Sequence, residues 1–135
     1  MMSHRHRILV TGGTGLLGTA LLDTPPEGWE VAGTYWRNRP EGPSGTRFHR
    51  LDVRDAAAVL RLFETLHPDV VIHTASVGSV EEAEREPEAV RAVNVGGTQA
   101  VGRACGRVGA RLVFVSSNAV FDGEHPPYAE DAPVR

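Results

Sequence analysis

The chain has 135 residues, which suits one globular domain and leaves no room for a second domain of similar size. Hydrophobic residues make up 41% and charged residues 23%, so the composition excludes a disordered or fibrous protein. A formal net charge of −3, with scattered arginines, excludes the basic surface typical of partners of nucleic acid or anionic membranes.

The N-terminal residues, Met1 to Arg7, contain His4 and His6 among arginines. Two histidines without a third ligand rarely hold a metal, so we predict a disordered terminus over residues 1–6 and no metal site. The single Cys105 excludes an internal disulfide, and no apolar run is long enough for a membrane span. We therefore expect a cytoplasmic protein with one domain over residues 1–135.

Short β-branched apolar runs alternate with helical periods, which is typical of βαβ units around a parallel sheet. The predicted strands are Arg7–Thr11, Glu30–Tyr35, Arg47–Leu51, Asp69–Thr74 and Arg111–Ser116. The predicted helices are Gly15–Leu22, Asp55–Leu66 and Glu88–Val108. The predicted irregular segments are Arg37–Thr46 and Gly123–Arg135. Right-handed crossovers then favour an α/β Rossmann fold, a doubly wound parallel sheet of order 3-2-1-4-5.

The first predicted strand is followed at once by the run TGGTGLLG, residues 11–18, which opens the first helix. Gly12 permits a tight turn, Gly15 lets a phosphate approach the backbone, and Gly18 lets the helix lie close to the sheet. The alternative is an ordinary glycine turn without a ligand. The strand before and the helix after favour a pyrophosphate site, for which we predict contacts at Gly12, Thr14, Gly15, Leu16 and Leu17.

The end of the second predicted strand reads TYWRNR and lacks the acid that binds a ribose 2′-hydroxyl in NAD sites. Arg37 and Arg39 are instead placed to bind a 2′-phosphate. This pattern favours NADP(H) over NAD(H). The alternative is that both arginines are solvated loop residues.

The ends of the next two strands should complete the cofactor site. Asp52 and Val53 follow the third strand, where the adenine edge is expected. Small residues follow the fourth strand and would let the dinucleotide pass, whereas His73 is expected to be packed or hydrogen-bonded rather than catalytic. The predicted contacts here are Asp52, Val53, Thr74, Ala75 and Ser76.

Several motifs occur in one order along the chain: RILVTGGTGLLG, LDVRD, PDVVIHTAS, VEEAEREPEAVRAVNVGGT, GARLVFVSSNAVFDG and PPYAED. Together they resemble the extended short-chain dehydrogenases/reductases of the dTDP-4-dehydrorhamnose reductase type. A similar pattern occurs in the regulatory β subunit of methionine adenosyltransferase. The resemblance covers Arg7 to Arg135.

The resemblance implies a reductase that transfers hydride from NADPH to the ketone of a nucleotide-linked deoxysugar. In the family, a Ser or Thr hydroxyl binds the carbonyl oxygen, a Tyr supplies the proton, and a Lys lowers the pKa of that Tyr. Ser117 matches the catalytic hydroxyl, although a hydroxyl at a strand end can also simply cap the backbone. We also predict cofactor contacts at Asn94 and Ser116.

The sequence departs from the family pattern at two points. Asn118 and Ala119 stand where the family usually has Asp and Tyr, so the sugar stays open. The sequence contains no Lys, and Tyr128 therefore has none four positions on. The chain cannot contain the complete proton-transfer machinery, and we expect it to be inactive alone.

Three interpretations stay open at this point. The first is the N-terminal part of a reductase whose C-terminal half carries the Tyr, the Lys and the substrate lobe. The second is a non-catalytic regulatory subunit that binds a nucleotide, and the third is a fragment without an independent role. The apolar run Leu112–Val115 would form an uncovered sheet edge, so we also expect a homo-oligomer through self-association.

Overall fold

The computed structural model describes residues 5–41 and 46–134. His4, most of the predicted disordered terminus, the middle of the predicted loop Arg37–Thr46 and the last residue lie outside the described residues. Arg5 and His6 are described, and the His6 ring stacks on Trp29 with 4.7 Å between ring centroids.

The described strands are β1 (Arg7–Thr11), β2 (Glu30–Tyr35), β3 (Arg47–Arg50), β4 (Val70–His73) and β5 (Arg111–Phe114). They form one sheet in the order β3-β2-β1-β4-β5, and all neighbours are parallel. The predicted fold class and strand order are confirmed. The predicted strand ends Leu51, Thr74 and Ser116 lie just beyond the hydrogen-bonded strands.

The parallel register brings the carboxyl ends of the strands to one edge of the sheet. Thr11 lies opposite His73, His73 lies opposite Phe114, and Tyr35 lies opposite Arg50. In open α/β sheets ligands bind outside this edge, so the register determines which residues can form a site.

The described α-helices are α1 (Leu16–Asp23), α2 (Ala56–Leu66), α3 (Val80–Arg85), α4 (Pro87–Arg91) and α5 (Thr98–Val108). The first two agree with the sequence within a residue at each end. The prediction of one α-helix over Glu88–Val108 was wrong in its middle, where Ala92–Gly97 form a π-helical segment. This π segment joins α4 to α5, and Gly109 ends α5 in the left-handed conformation, with φ of 74°.

Helix α3 was not predicted, because none of its residues is buried and apolar periodicity could not reveal it. It is stabilised at its ends instead. The Ser79 hydroxyl accepts a hydrogen bond from the Glu82 N–H at 3.1 Å, and Arg85 lies in the last turn, where a cation favours the helix dipole. The S-x-x-E pattern of Ser79 to Glu82 is the capping signal that the sequence carried.

Two layers of helices cover the sheet. Helices α2 and α5 pack together on one face, and the buried core on that side consists of Leu9, Leu51, Val53, Val59, Phe63, Val71, Ala100, Val101, Ala104 and Cys105. On the other face Leu22 of α1 lies against Gly33, where an added Cβ would meet the Leu22 side chain at 2.8 Å. Among the described residues, no helix is long and apolar enough to cross a membrane.

Strand β5 forms an edge of the described sheet. Its side chains Val113 and Phe114, with Val115 directly after it, are 43%, 53% and 40% exposed. The expectation of an apolar edge over Leu112–Val115 is therefore confirmed, except that Leu112 is half-buried.

Candidate functional site

A cavity of about 720 Å³ opens at the carboxyl ends of β1 to β4. It is formed by the glycine turn before α1, the segment after β2, the segment after β3 and the segment after β4. Most of the predicted contacts line this cavity: Gly12, Thr14, Gly15, Arg37, Arg39, Asp52, Val53, Thr74, Ala75 and Ser76. The structure thus brings together residues that the sequence separates by more than sixty positions.

The glycine turn is held by Thr34 at the end of β2. The Gly12 N–H donates to the Thr34 hydroxyl at 3.2 Å, and the Gly13 N–H donates to the Thr34 carbonyl oxygen at 2.8 Å. Thr34 is only 2% exposed, so this support is inside the protein. Thr34 was not among the predicted site residues, because its role depends on the pairing of β2 with β1.

The turn presents the start of α1 to the cavity. The first-turn N–H groups of a helix, here including those of Leu16 and Leu17, have no partner within the helix. Gly15 at the N-cap has no side chain that could cap them. The side chain of Leu16 is 95% exposed and does not line the cavity, so Leu16 could contact an anion only through its backbone.

Two glycines of the turn are required by its geometry. Gly12 has φ of 72°, and an added Cβ would lie 2.8 Å from the Ala75 backbone. A Cβ on Gly18 would lie 2.2 Å from the Gly12 carbonyl oxygen. At Gly15, by contrast, a Cβ would meet only that same oxygen at 3.4 Å, so the space in front of Gly15 is open to a ligand.

The carboxylate of Asp52 is occupied by Arg54. Its Oδ1 accepts from the Arg54 backbone N–H at 3.0 Å and from Nε at 2.9 Å, and its Oδ2 accepts from Nη2 at 2.7 Å. The hydrogen bonds from Arg54 hold the pKa of Asp52 below its usual range. Asp52 therefore lines the cavity as an ion pair rather than as a free acceptor.

Trp36 and two arginines form a cluster at the tip of β2. The Arg50 guanidinium carbon lies 5.2 Å from the centroid of the Trp36 ring, and that of Arg54 lies 5.6 Å from it. Arg50 Nε also donates to the Trp36 carbonyl oxygen at 3.2 Å. Trp36 and Arg54 were not among the predicted site residues. The available signal was the arginine two positions after Asp52.

His73 is the centre of a buried hydrogen-bond chain beneath the cavity. Its Nδ1 lies 2.6 Å from the Thr11 hydroxyl, and its Nε2 lies 3.1 Å from the Thr98 hydroxyl. Because Thr98 donates its proton to the Asn94 carbonyl oxygen at 2.6 Å, it must accept from His73 Nε2–H. A neutral His73, which its burial favours, then accepts at Nδ1 from the Thr11 hydroxyl. Burial lowers its pKa, in agreement with this role.

Asn94 lies in the π segment and holds the loop after β4. Its Oδ1 accepts from the Val77 N–H at 2.8 Å, and its Nδ2 donates to the Val77 carbonyl oxygen at 3.0 Å. Asn94 does not line the cavity, although Val77 does. The amide that we predicted as a cofactor contact is used in this structure to position a segment of the cavity wall.

Ser116 and Ser117 are exposed after β5 and do not line the cavity. The Ser117 hydroxyl accepts from the Ala119 N–H at 3.2 Å and so caps the short 3₁₀ helix Asn118–Val120. This is the alternative role named for a hydroxyl at a strand end. The Ser117 hydroxyl donates a long hydrogen bond of 3.5 Å to Asn118 Oδ1.

Tyr128 is engaged within its own segment. Its hydroxyl donates to Asp122 Oδ1 at 2.5 Å and accepts from the His125 N–H at 3.1 Å. Its ring stacks on Phe121 with 4.5 Å between centroids. These contacts hold Tyr128 within the C-terminal segment.

Comparisons with known proteins agree with this geometry. The model of the RmlD substrate binding domain family matches residues 6–135. The chain is 41% identical over 128 residues to methionine adenosyltransferase 2 subunit beta of Xenopus tropicalis. The alignment covers 93% of this chain but only 36% of that protein. The chain thus spans about a third of the length of this relative.

Two solved structures of reductases are also similar. A hypothetical dTDP-4-dehydrorhamnose reductase from Sulfolobus tokodaii superposes with a TM-score of 0.86 at 29% identity, over 96% of this chain and 45% of that one. The dTDP-4-dehydrorhamnose reductase of Bacillus anthracis str. Ames, solved in complex with NADP, gives a TM-score of 0.76 at 26% identity, over 93% and 41%. The chain therefore belongs to the RmlD substrate binding domain family.

Proposed function

We propose that this chain binds NADP(H) and forms the cofactor half of a reductase that transfers hydride to the ketone of a nucleotide-linked deoxysugar. One observation carries the proposal: the glycine turn and the arginines at the tip of β2 line a single cavity. A dinucleotide with a 2′-phosphate needs two such anion sites, one for the pyrophosphate at the 5′ position of its adenosine ribose and one for the phosphate at the 2′ position. The NADP complex of the Bacillus anthracis reductase supports this assignment.

Each side of the cavity has a role in the proposal. The backbone from Thr14 to Leu17 would bind the pyrophosphate, and Arg37 and Arg39 would bind the 2′-phosphate. Thr74, Ala75 and Ser76 would line the path of the dinucleotide towards its nicotinamide ring, which supplies the hydride when the cofactor is bound. The side chain of Asp52 is paired with Arg54, so we assign the adenine edge to Val53 and the neighbouring backbone.

The chemistry at the carbonyl would need Ser117. Its hydroxyl oxygen accepts from the Ala119 N–H, and its proton makes only a long hydrogen bond of 3.5 Å to Asn118 Oδ1, which a substrate carbonyl oxygen would replace. The Tyr and Lys that complete the family's proton transfer are not in this sequence. We propose that a longer protein of this family supplies them together with the sugar-binding lobe.

A second candidate is a regulatory subunit that binds the nucleotide without catalysis. The 41% identity to methionine adenosyltransferase 2 subunit beta favours it, as do Asn118 and Ala119 at positions that shape the substrate pocket in the resemblance. A longer protein of this second kind would bind NADP(H) and a partner enzyme but would not oxidise NADPH with a sugar ketone. For both candidates we propose a cytoplasmic protein, because Cys105 is a free, buried thiol.

Changing Arg37 and Arg39 together to alanine is expected to raise the Kd for NADPH about 30-fold and to leave the Kd for NADH within about twofold, since only NADPH carries the 2′-phosphate. Isothermal titration calorimetry on the purified chain measures both constants. Arg61→Ala is the matched control, because Arg61 is exposed on α2 and does not line the cavity.

Equal losses for the two dinucleotides would contradict the assignment of these arginines to the phosphate. Binding of neither dinucleotide by the unmodified chain would contradict the proposed function. That result would favour the third interpretation, a fragment without an independent role.

The exposed edge at β5 is expected to make this chain self-associate when it is purified alone. Its unpaired backbone and the exposed Val113 and Phe114 present a surface for edge-to-edge pairing. Light scattering should show a mass that rises with concentration, and Val113→Lys should reduce the rise. Val80→Lys is the control, because Val80 is exposed on α3, away from this edge. A monomer at high concentration would contradict this expectation.

A further inference from the structure

We infer that Arg54, in the segment after β3, is a specificity-determining residue that binds the 2′-phosphate of NADP(H). Its side chain is held in place by Asp52 and Trp36. The inference rests on the proposed function and deepens it, because it adds a ligand group that the tip of β2 does not contain. It starts from the position of the Arg54 guanidinium, which is paired with Asp52 in its own segment and also lies against the ring of Trp36 in the segment after β2.

The position of Trp36 connects Arg54 to the expected phosphate. Trp36 directly follows β2 and directly precedes Arg37, and both residues line the same cavity as Arg54. The Arg54 guanidinium lies 5.6 Å from the centroid of the Trp36 ring, and Trp36 is the neighbour of Arg37 in the chain. Three arginines from two segments, Arg37, Arg39 and Arg54, thus line the same cavity.

Arg54 is also preorganised. Asp52 binds both its Nε and its Nη2, which fixes the plane of the guanidinium, and the Trp36 ring packs against that group. Arg50 in turn fixes Trp36 through its carbonyl oxygen and its ring. An arginine held in this way loses less conformational entropy on binding a phosphate than a free loop arginine does. Its Nη1 makes no contact with Asp52 and remains able to donate.

The pairing with Asp52 has an electrostatic consequence as well. An ionised carboxylate at this end of the cavity would repel a 2′-phosphate and would suit the free 2′-hydroxyl of NAD(H). Arg54 cancels that charge at a contact of 2.7 Å. Arg54 therefore favours NADP(H) in two ways, by donating to the phosphate and by neutralising the acid.

Calorimetric titrations with NADPH and NADH test the inference and separate the two effects. We expect Arg54→Ala to raise the Kd for NADPH about tenfold, with the Kd for NADH unchanged or lowered. Arg54→Lys should recover part of the loss, because Lys keeps the charge but not the fork. In the double variant Asp52→Asn with Arg54→Ala, the repelling carboxylate is absent, and we expect the Kd for NADPH to stay at least about threefold above that of the unmodified chain.

The outcomes that overturn the inference differ from those that overturn the proposed function. An unchanged ratio of the two dissociation constants in Arg54→Ala would overturn the inference alone. Full recovery of NADPH binding in the double variant would also overturn it, because Arg54 would then act only by neutralising Asp52. Thermal unfolding of each variant checks that the fold is kept, and Arg61→Ala is again the control. Binding of neither dinucleotide by the unmodified chain would overturn the proposed function, and the inference with it.

Discussion

Replacing Gly18 with alanine is expected to abolish dinucleotide binding and to lower the free energy of unfolding by about 2–3 kcal/mol. The added Cβ would lie 2.2 Å from the Gly12 carbonyl oxygen and 2.8 Å from the Gly13 Cα. Both contacts are with backbone atoms, so relief requires that α1 move away from the turn. The displaced helix would no longer present its first-turn N–H groups to the cavity. Urea denaturation and calorimetry measure the two effects.

The matched control is Gly106→Ala in α5. Gly106 has open space where a Cβ would stand, so alanine there should raise the free energy of unfolding by up to about 1 kcal/mol and leave binding unchanged. The two glycine substitutions are thus expected to have opposite effects on stability. If Gly18→Ala were as stable as the unmodified chain and bound NADPH equally well, the close packing of α1 on the turn would not be required.

Replacing His73 with leucine is expected to lower the free energy of unfolding at neutral pH by about 3 kcal/mol. His73 is 1% exposed and Thr11 is fully buried, so the Thr11 hydroxyl would lose its acceptor without access to water. The Thr98 hydroxyl would lose the donor at its oxygen but keep its bond to Asn94. Urea denaturation measures the loss. The comparison variant is His125→Leu, because His125 is an exposed histidine in the C-terminal segment.

The pH dependence of the free energy of unfolding, compared between the unmodified chain and His73→Leu, isolates the contribution of the His73 ring. Burial lowers its folded-state pKa below the ordinary value of 6.5, so the unfolded chain binds the proton first as the pH falls. The stability that neutral His73 contributes is therefore complete above about pH 6.5 and is lost as the pH falls towards the folded-state pKa. His49 contributes in the same direction, because burial and Arg47 lower its pKa.

The difference between the unmodified chain and His73→Leu should consequently shrink as the solution becomes more acidic than about pH 6.5. His49 is present in both chains and cancels in this comparison. A difference that stayed constant down to acidic pH would show that the proton does not distinguish the folded from the unfolded state at His73.

The sheet was predictable because its strands are short apolar runs with clear breaks, and the bounds of β1 and β2 agree with the prediction. The glycine turn was predictable because its spacing has a direct stereochemical reason at Gly12 and Gly18. The π segment was not predictable, because its surroundings include side-chain hydrogen bonds between parts of the chain that are distant in sequence. Asn94 binds Val77, and Thr98 binds His73.

The site was predictable where its residues follow the strands, and less so where side chains cross between segments. Arg37 and Arg39 lie just after β2 and line the cavity as predicted, and their role in binding the 2′-phosphate is our proposal. The partner of Asp52 is two residues away, yet its contact with Trp36 depends on the pairing of β2 with β3. The position of Asn94 in a sequence motif predicted a cofactor contact. It could not reveal that the side-chain amide binds the backbone of Val77.

The double use of Thr34 sets a boundary for redesign of cofactor preference. Thr34 holds the glycine turn with its hydroxyl and its carbonyl oxygen, and the arginines that we propose bind the 2′-phosphate begin three residues later. A loop exchange that begins at Trp36 would therefore replace the arginines proposed to bind the 2′-phosphate and leave the glycine turn intact. One that begins at Thr34 would damage both, and its failure would say nothing about which dinucleotide the new loop prefers.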